Sequence, residues 1–106
     1  MNLKQMRETA PRVSELMKVL SNEHRLMILC QLAEGEKSVG QLAELLNVRQ
    51  AALSQQLALL RKDGMVHTRR QAQNVFYSLA REDVRSLMGF LYETYCGIEN
   101  PNNNAA

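Results

Sequence analysis

Residues 47–60, NVRQAALSQQLALL, constrain this chain more than any other stretch. At helical spacing they set Ala52, Leu53, Leu57 and Leu60 on one face and Gln50, Ser54, Gln55 and Arg61 on the other. Such a helix buries one side and offers the other. The offered side carries amides, a hydroxyl and arginines, and almost no acid. Those groups suit base edges and phosphate oxygens. The rest of the chain must hold this helix in place.

The charge follows the same segment. Between Leu45 and Arg81 the bases are Arg49, Arg61, Lys62, Arg69, Arg70 and Arg81, and the single acid is Asp63. Net charge over the whole chain is only +2, so the remainder is net acidic. A basic segment on a near-neutral body is the footprint of a polyanion-binding surface, although an ordinary solvated face has the same composition.

Flanking segments predict the elements around it. Residues 1–8 are polar and read as a frayed lead-in. A helix is expected from about Thr9, with Pro11 in its first turn. Val13, Leu16, Met17 and Leu20 give it one apolar face. A second, strongly apolar helix is predicted over about Glu23–Ala33, stopped by Gly35. Ser38, with Gln41 three residues on, forms a capping-box signature for a third helix over Val39–Leu46, with Leu42, Leu45 and Leu46 facing inward. Asn47-Val48 is a tight connection to the helix from about Gln50 to Lys62. Two short helices so joined are a helix-turn-helix, the second entering the major groove by its N-terminal end.

After Asp63-Gly64 the period changes. Residues 65–70 and 75–79 are β-rich, with the polar turn Gln71-Ala72-Gln73-Asn74 between them, which predicts a β-hairpin. A basic hairpin in this place is a wing. A last helix is predicted from Arg81-Glu82-Asp83 to Cys96-Gly97, with Val84, Leu87, Met88, Leu91, Tyr92 and Tyr95 at helical spacing. Residues 97–106 are Asn-rich and expected to be disordered. One domain over 9–96 is therefore expected: mainly α, with a small β-hairpin wing. No run of about 18 apolar residues suggests a membrane span. The first dozen residues lack the apolar centre of a signal peptide, so the cytoplasm is the expected compartment. Two distant cysteines do not make a disulfide framework.

The blocks KVLSNEHRLMILCQL, SVGQLAELL and LSQQLALLRKDGMV, followed by a wing ending in VFYSL, resemble the ArsR/SmtB family of winged-helix bacterial regulators over roughly residues 13 to 96. SVG before the third helix, Cys30, and Cys96 after LYETY resemble its sulfide- and persulfide-responsive branch. The resemblance implies a homodimer paired through the first and last helices, bound to operator DNA in the bacterial nucleoid. The family's recognition helix falls on Gln50–Leu60, which makes Gln50, Ala51, Ser54, Gln55 and Gln56 candidate base or phosphate contacts. Ser38 is a candidate phosphate contact as well as a cap. Arg69 and Arg70 are candidate wing contacts, though strand neighbours face opposite ways and one of them can point elsewhere. Gln73 and Asn74 are within the wing's reach of the minor groove, and turn chemistry alone accounts for Asn74.

Metal sensing is the family's best-known task, but the third-helix thiolate pair would fall near Lys37–Gln41, which holds no thiol. No His accompanies Asp83 on the last helix, and His24 and His67 lie in different elements. No metal or other cofactor is expected. The resemblance instead implies that reactive sulfur species join Cys30 and Cys96 and weaken DNA binding, with Lys18 or Arg85 as candidate activators of the thiols. The alternative is two inert, small apolar residues, in a regulator that, as the same resemblance implies, displaces a nucleoid silencer. A protein-interaction domain is a further reading, against which the basic segment argues. An enzyme is not expected: Ser54, His67 and Asp63 have no triad spacing, and there is no Gly-rich phosphate loop.

Overall fold

The computed structural model describes residues 1–97. The expected Asn-rich tail, apart from Gly97, lies outside the described residues. The elements are α1 (Leu3–Leu20), α2 (Glu23–Glu34), β1 (Lys37–Ser38), α3 (Val39–Leu46), α4 (Gln50–Lys62), β2 (Val66–Gln71), β3 (Asn74–Leu79) and α5 (Glu82–Tyr95). The three strands form one antiparallel sheet in the order β1-β3-β2. Among the described residues, no helix is long and apolar enough to cross a membrane.

Local chemistry sets most boundaries. The Asn22 side chain accepts from the Arg25 N–H at 3.0 Å and starts α2. Ser38 starts α3 with the full capping box: its hydroxyl accepts from the Gln41 N–H at 3.1 Å, and the Gln41 side chain accepts from the Ser38 N–H at 2.8 Å. Asn47 ends α3 in the left-handed region, φ 55°. Its N–H donates to the Glu44 carbonyl, and the Val48 N–H reaches back to Ala43 at 3.1 Å. This is a Schellman closure with Asn in place of the usual Gly, and it forms the turn of the helix-turn-helix. Gly64, φ 76°, closes α4 in the same way, with Met65 N–H donating to Leu60 at 2.9 Å.

The N-terminus corrects the expected start of the first helix. It begins at Leu3, capped by the Asn2 side chain accepting from the Gln5 N–H at 3.1 Å, and Pro11 lies in its interior. Local capping and the helical run on both sides carry the helix through the proline, at the loss of one backbone hydrogen bond.

Leu29, Leu32, Leu42, Leu57 and Leu60 are fully buried, joined by Ile28, Val84 and Met88. Each of α2, α3, α4 and α5 contributes to this single core, and α4 rests chiefly on α3 and β2. Replacing Leu57 or Leu60 by Ala removes about 2–5 kcal/mol from such a site. Two inward assignments are corrected. Leu45 is 57% exposed, because Ala43, not Leu45, shares the buried arc of α3 with Leu42. Ala52 is exposed, lying about 100° around α4 from Leu53.

Candidate nucleic-acid interface

The outward face of α4 is built as its sequence suggests. Leu53, Leu57 and Leu60 are buried, whereas Gln50, Ala51, Ser54 and Gln55 are exposed. Arg49 is the N-cap residue, but its side chain makes no capping bond, and the first turn contains no acid. The leading N–H groups of α4 are thus uncovered by any side chain and free to meet an anion. Arg49, exposed beside them, belongs to this face and was not singled out in the sequence. Its signal was there: a base immediately before the helix, inside the basic segment.

Ser38 joins the same surface. A Cβ placed on Gly40 would lie 3.7 Å from Nε2 of Gln50 and 3.9 Å from Oγ of Ser38. The starts of α3 and α4 therefore converge across the bare backbone of Gly40. Ser38 keeps its capping bond in this arrangement.

Gln56 departs from its neighbours. It is half-buried, and its Oε1 is buried with no hydrogen-bond partner among the described residues. It lines a groove with His24, Met27, Leu45 and Val48, on the flank of α4. The cause is angular: three residues beyond Leu53 and one before Leu57, it sits on the edge of the buried arc.

The wing separates its two arginines. In the β2–β3 register Arg69 faces Phe76 and Arg70 faces Val75. Arg69 is engaged: Nε and Nη2 donate to the two carboxylate oxygens of Glu36 at 3.0 and 2.7 Å, and Nη1 donates to the Gln71 side chain at 3.0 Å. Its guanidinium lies over the Phe76 ring, 4.8 Å from the centroid. Hydrogen bonding from Arg69 holds the Glu36 carboxyl below the usual carboxylate range. Arg70 points the other way, is exposed, and has no ion pair or side-chain hydrogen bond among the described residues. Gln73 and Asn74 are exposed at the tip. Arg81 is also spoken for, donating to both oxygens of Asp83 at 3.0 and 2.5 Å. The free cations of the basic segment are thus fewer than its composition implies.

The cysteines lie between α2 and the end of α5. Cys30 is half-buried and Cys96 exposed. The Cys30 thiol is 3.5 Å from the Met88 sulfur. Burial raises its pKa, and the nearby Cys96 and Glu34 raise it further. The suggested activators are occupied elsewhere. Lys18 pairs with Glu15, and Arg85 donates to the Ala33 carbonyl at 2.9 Å and lies beside Glu82.

A buried helix-turn-helix with an open recognition face, flanked by a basic hairpin, defines a winged-helix DNA-binding regulator. The model of the family described as "Bacterial regulatory protein, arsR family" matches residues 22–68. The chain is 46% identical to the transcriptional activator HlyU of Vibrio cholerae, covering 91% of this chain and 89% of that protein. It is also 46% identical to the biofilm growth-associated repressor of Agrobacterium fabrum, over 89% of this chain and 80% of that one. Among solved structures, the repressor BigR of Xylella fastidiosa superimposes with a TM-score of 0.85 at 42% identity, covering 91% and 98% of the two chains. Reduced HlyU from Vibrio cholerae superimposes with a TM-score of 0.82 at 45% identity, over 89% and 99%. The chain belongs to the ArsR family of bacterial transcriptional regulators.

Proposed function

We propose that this chain is an operator-binding regulator that acts as a homodimer and is switched through Cys30 and Cys96. The observation that carries the DNA reading is the acid-free, uncapped start of α4, exposed where it converges with Ser38 at Gly40. Gln50, Ser54 and Gln55 read base edges; Ala51 packs against a thymine methyl; Ser38, Arg49 and Arg70 hold phosphates; Gln73 reaches the minor groove. Gln56 joins them only by turning out of its groove.

The switch rests on two thiols from distant sequence that lie on packed elements, α2 and the end of α5, close enough for Cys96 to act electrostatically on Cys30. The exposed Cys96 thiolate takes the outer sulfur of a hydropersulfide, and the donor leaves as a thiol. Cys30 then attacks the inner sulfur of the Cys96 persulfide, forming the Cys30–Cys96 disulfide and releasing hydrogen sulfide. Two thiols are oxidised and the sulfane sulfur is reduced. That a related HlyU was solved in a form named as reduced supports a redox-sensitive relative. Joining α2 to α5 would disturb a helix whose exposed face is the proposed dimer surface.

One observation favours a second reading. Burial keeps Cys30 protonated and packed on Met88, the reverse of an activated thiol. The cysteines would then be inert, and the protein would displace a nucleoid silencer from DNA. The test is affinity for the protein's own promoter DNA by fluorescence anisotropy at one salt concentration. Reduced and persulfide-treated protein are compared, each with Cys96→Ser. Loss of affinity on treatment, absent in the variant, is the expected result. Equal affinity in every state overturns the switch and leaves the second reading.

A further inference from the structure

We infer that Arg69 is a positioning residue and not a phosphate contact: with Glu36 and Phe76 it forms a clamp across all three strands that aims the wing, and Arg70 alone carries the wing's charge to the DNA backbone. The inference rests on the DNA-binding reading above and divides its labour between two adjacent arginines.

The register dictates the geometry. Phe76, on the central strand, is paired with Arg69 on one side and with Ser38 on the other. Side chains two residues apart on a strand share a face. Glu36, two residues before Ser38, therefore comes up on the same face as Phe76 and Arg69. To meet it, the Arg69 side chain must cross the middle strand, and the Phe76 ring is the surface it crosses on. The planar fork then meets both carboxylate oxygens, while the remaining nitrogen finds Gln71. All three guanidinium nitrogens have acceptors.

That arrangement makes Arg69 a poor phosphate ligand. A phosphate arriving there would have to displace a carboxylate already seated bidentately, against like charge. Exposed ion pairs contribute little when two long side chains must be frozen to make them. Here the ring beneath and the second acceptor beside it hold the fork in one orientation. The clamp matters for placement because β1 pairs with β3 only at Tyr77 and Phe76, which leaves the outer part of the hairpin without a third strand. β1 is two residues long, and it leads directly into α3. Glu36 thus ties the wing to the segment that starts the helix-turn-helix. The tip, with Arg70 on the opposite face of β2, is set relative to α4.

The experiment is a salt titration of promoter-DNA affinity for the wild type, Arg69→Ala, Arg69→Lys and Arg70→Ala, with hydrogen exchange of the hairpin amides in the DNA-free protein for the same set and Glu36→Gln. Arg70→Ala should reduce the log–log salt slope by about 0.9 for each subunit bound, hence by about 1.8 for an operator-bound dimer. Arg69→Ala should keep the wild-type slope but bind about two- to fivefold more weakly at every salt concentration, the range of an ion pair of this kind. Arg69→Lys should not restore affinity, since lysine has neither fork nor plane. Both Arg69→Ala and Glu36→Gln should speed exchange across residues 66–79. If Arg69→Ala flattens the slope as Arg70→Ala does, Arg69 touches phosphate and the inference is wrong. Unchanged exchange in both clamp variants also overturns it. If wild-type affinity shows no salt dependence, the DNA reading itself fails, and exchange still decides whether the clamp holds the wing.

Discussion

Ala72 is the residue whose backbone most conflicts with its side chain. It is the first of two turn residues between β2 and β3, and its φ is +54°. A Cβ in the left-handed region costs roughly 1–2 kcal/mol, which glycine avoids. Ala72→Gly should therefore stabilise the protein by about 1 kcal/mol, partly offset by the freer unfolded chain. An increased urea midpoint at unchanged slope would show it; a lower midpoint would mean that the strain is absent. Cys30 gives a second test at this scale. Its folded pKa is raised, chiefly by burial. The unfolded thiol ionises near roughly pH 8.5, while the folded one keeps its proton. Cys30's contribution to stability is therefore complete below that pH and is lost as pH climbs from there through the folded pKa. Alkylation followed by mass spectrometry should label Cys96 first at neutral pH, with Cys30 following only in alkali. Equal rates at neutral pH would show that Cys30 is neither shielded nor held protonated.

Among the elements, α3 shows how a short helix is made reliable. Eight residues are too few to be helical alone. The capping box at one end and the Asn47 turn at the other satisfy its loose backbone groups, and Leu42 anchors it in the core. Ser38→Ala should cost about 1 kcal/mol of stability, the usual loss of an N-cap. If Ser38 is a cap and nothing more, DNA affinity measured well below the melting temperature stays near wild type. A clear loss of affinity there, with the salt dependence unchanged because the hydroxyl carries no charge, would assign it a phosphate hydrogen bond. These local signals were legible in the sequence, which is why α3 falls where its caps put it, and α4 and α5 where their apolar periods put them. β1 was not legible. Two residues carry no period, and they become a strand only because Lys37 and Ser38 lie beside Tyr77 and Phe76, some forty positions away.

For the molecule as a whole, apolar surface is left over. Leu3, Met6, Val13 and Met17 are exposed on α1, and Phe90, Tyr92 and Tyr95, at 60%, 61% and 66% exposure, on α5. Apolar residues gathered on two helices in this way mark an interaction surface, and a second copy of the chain is the proposed occupant. Phe90→Lys combined with Tyr95→Lys should leave the monomer folded, since neither side chain is in the core. It should shift sedimentation from dimer to monomer at micromolar concentration and weaken operator binding. A wild-type protein that sediments as a monomer would remove the dimer from the proposal.

The order of the helices and the hairpin, the leucine face of α4 and the reach of the basic segment could be read from the chain alone. Each of these follows from period, capping and charge within a few residues of chain. Tertiary structure decided which outward-looking groups are free. Arg69 and Arg70 are identical neighbours in sequence; pleat and register send one to Glu36 and leave the other open. Gln55 and Gln56 are likewise adjacent and identical, and both border the groove, but only Gln56 is half-buried, with its side-chain oxygen shut off from solvent. Leu45 faces outward although its helix is apolar almost throughout. Such choices depend on what approaches from distant sequence, and no local pattern encodes the approach.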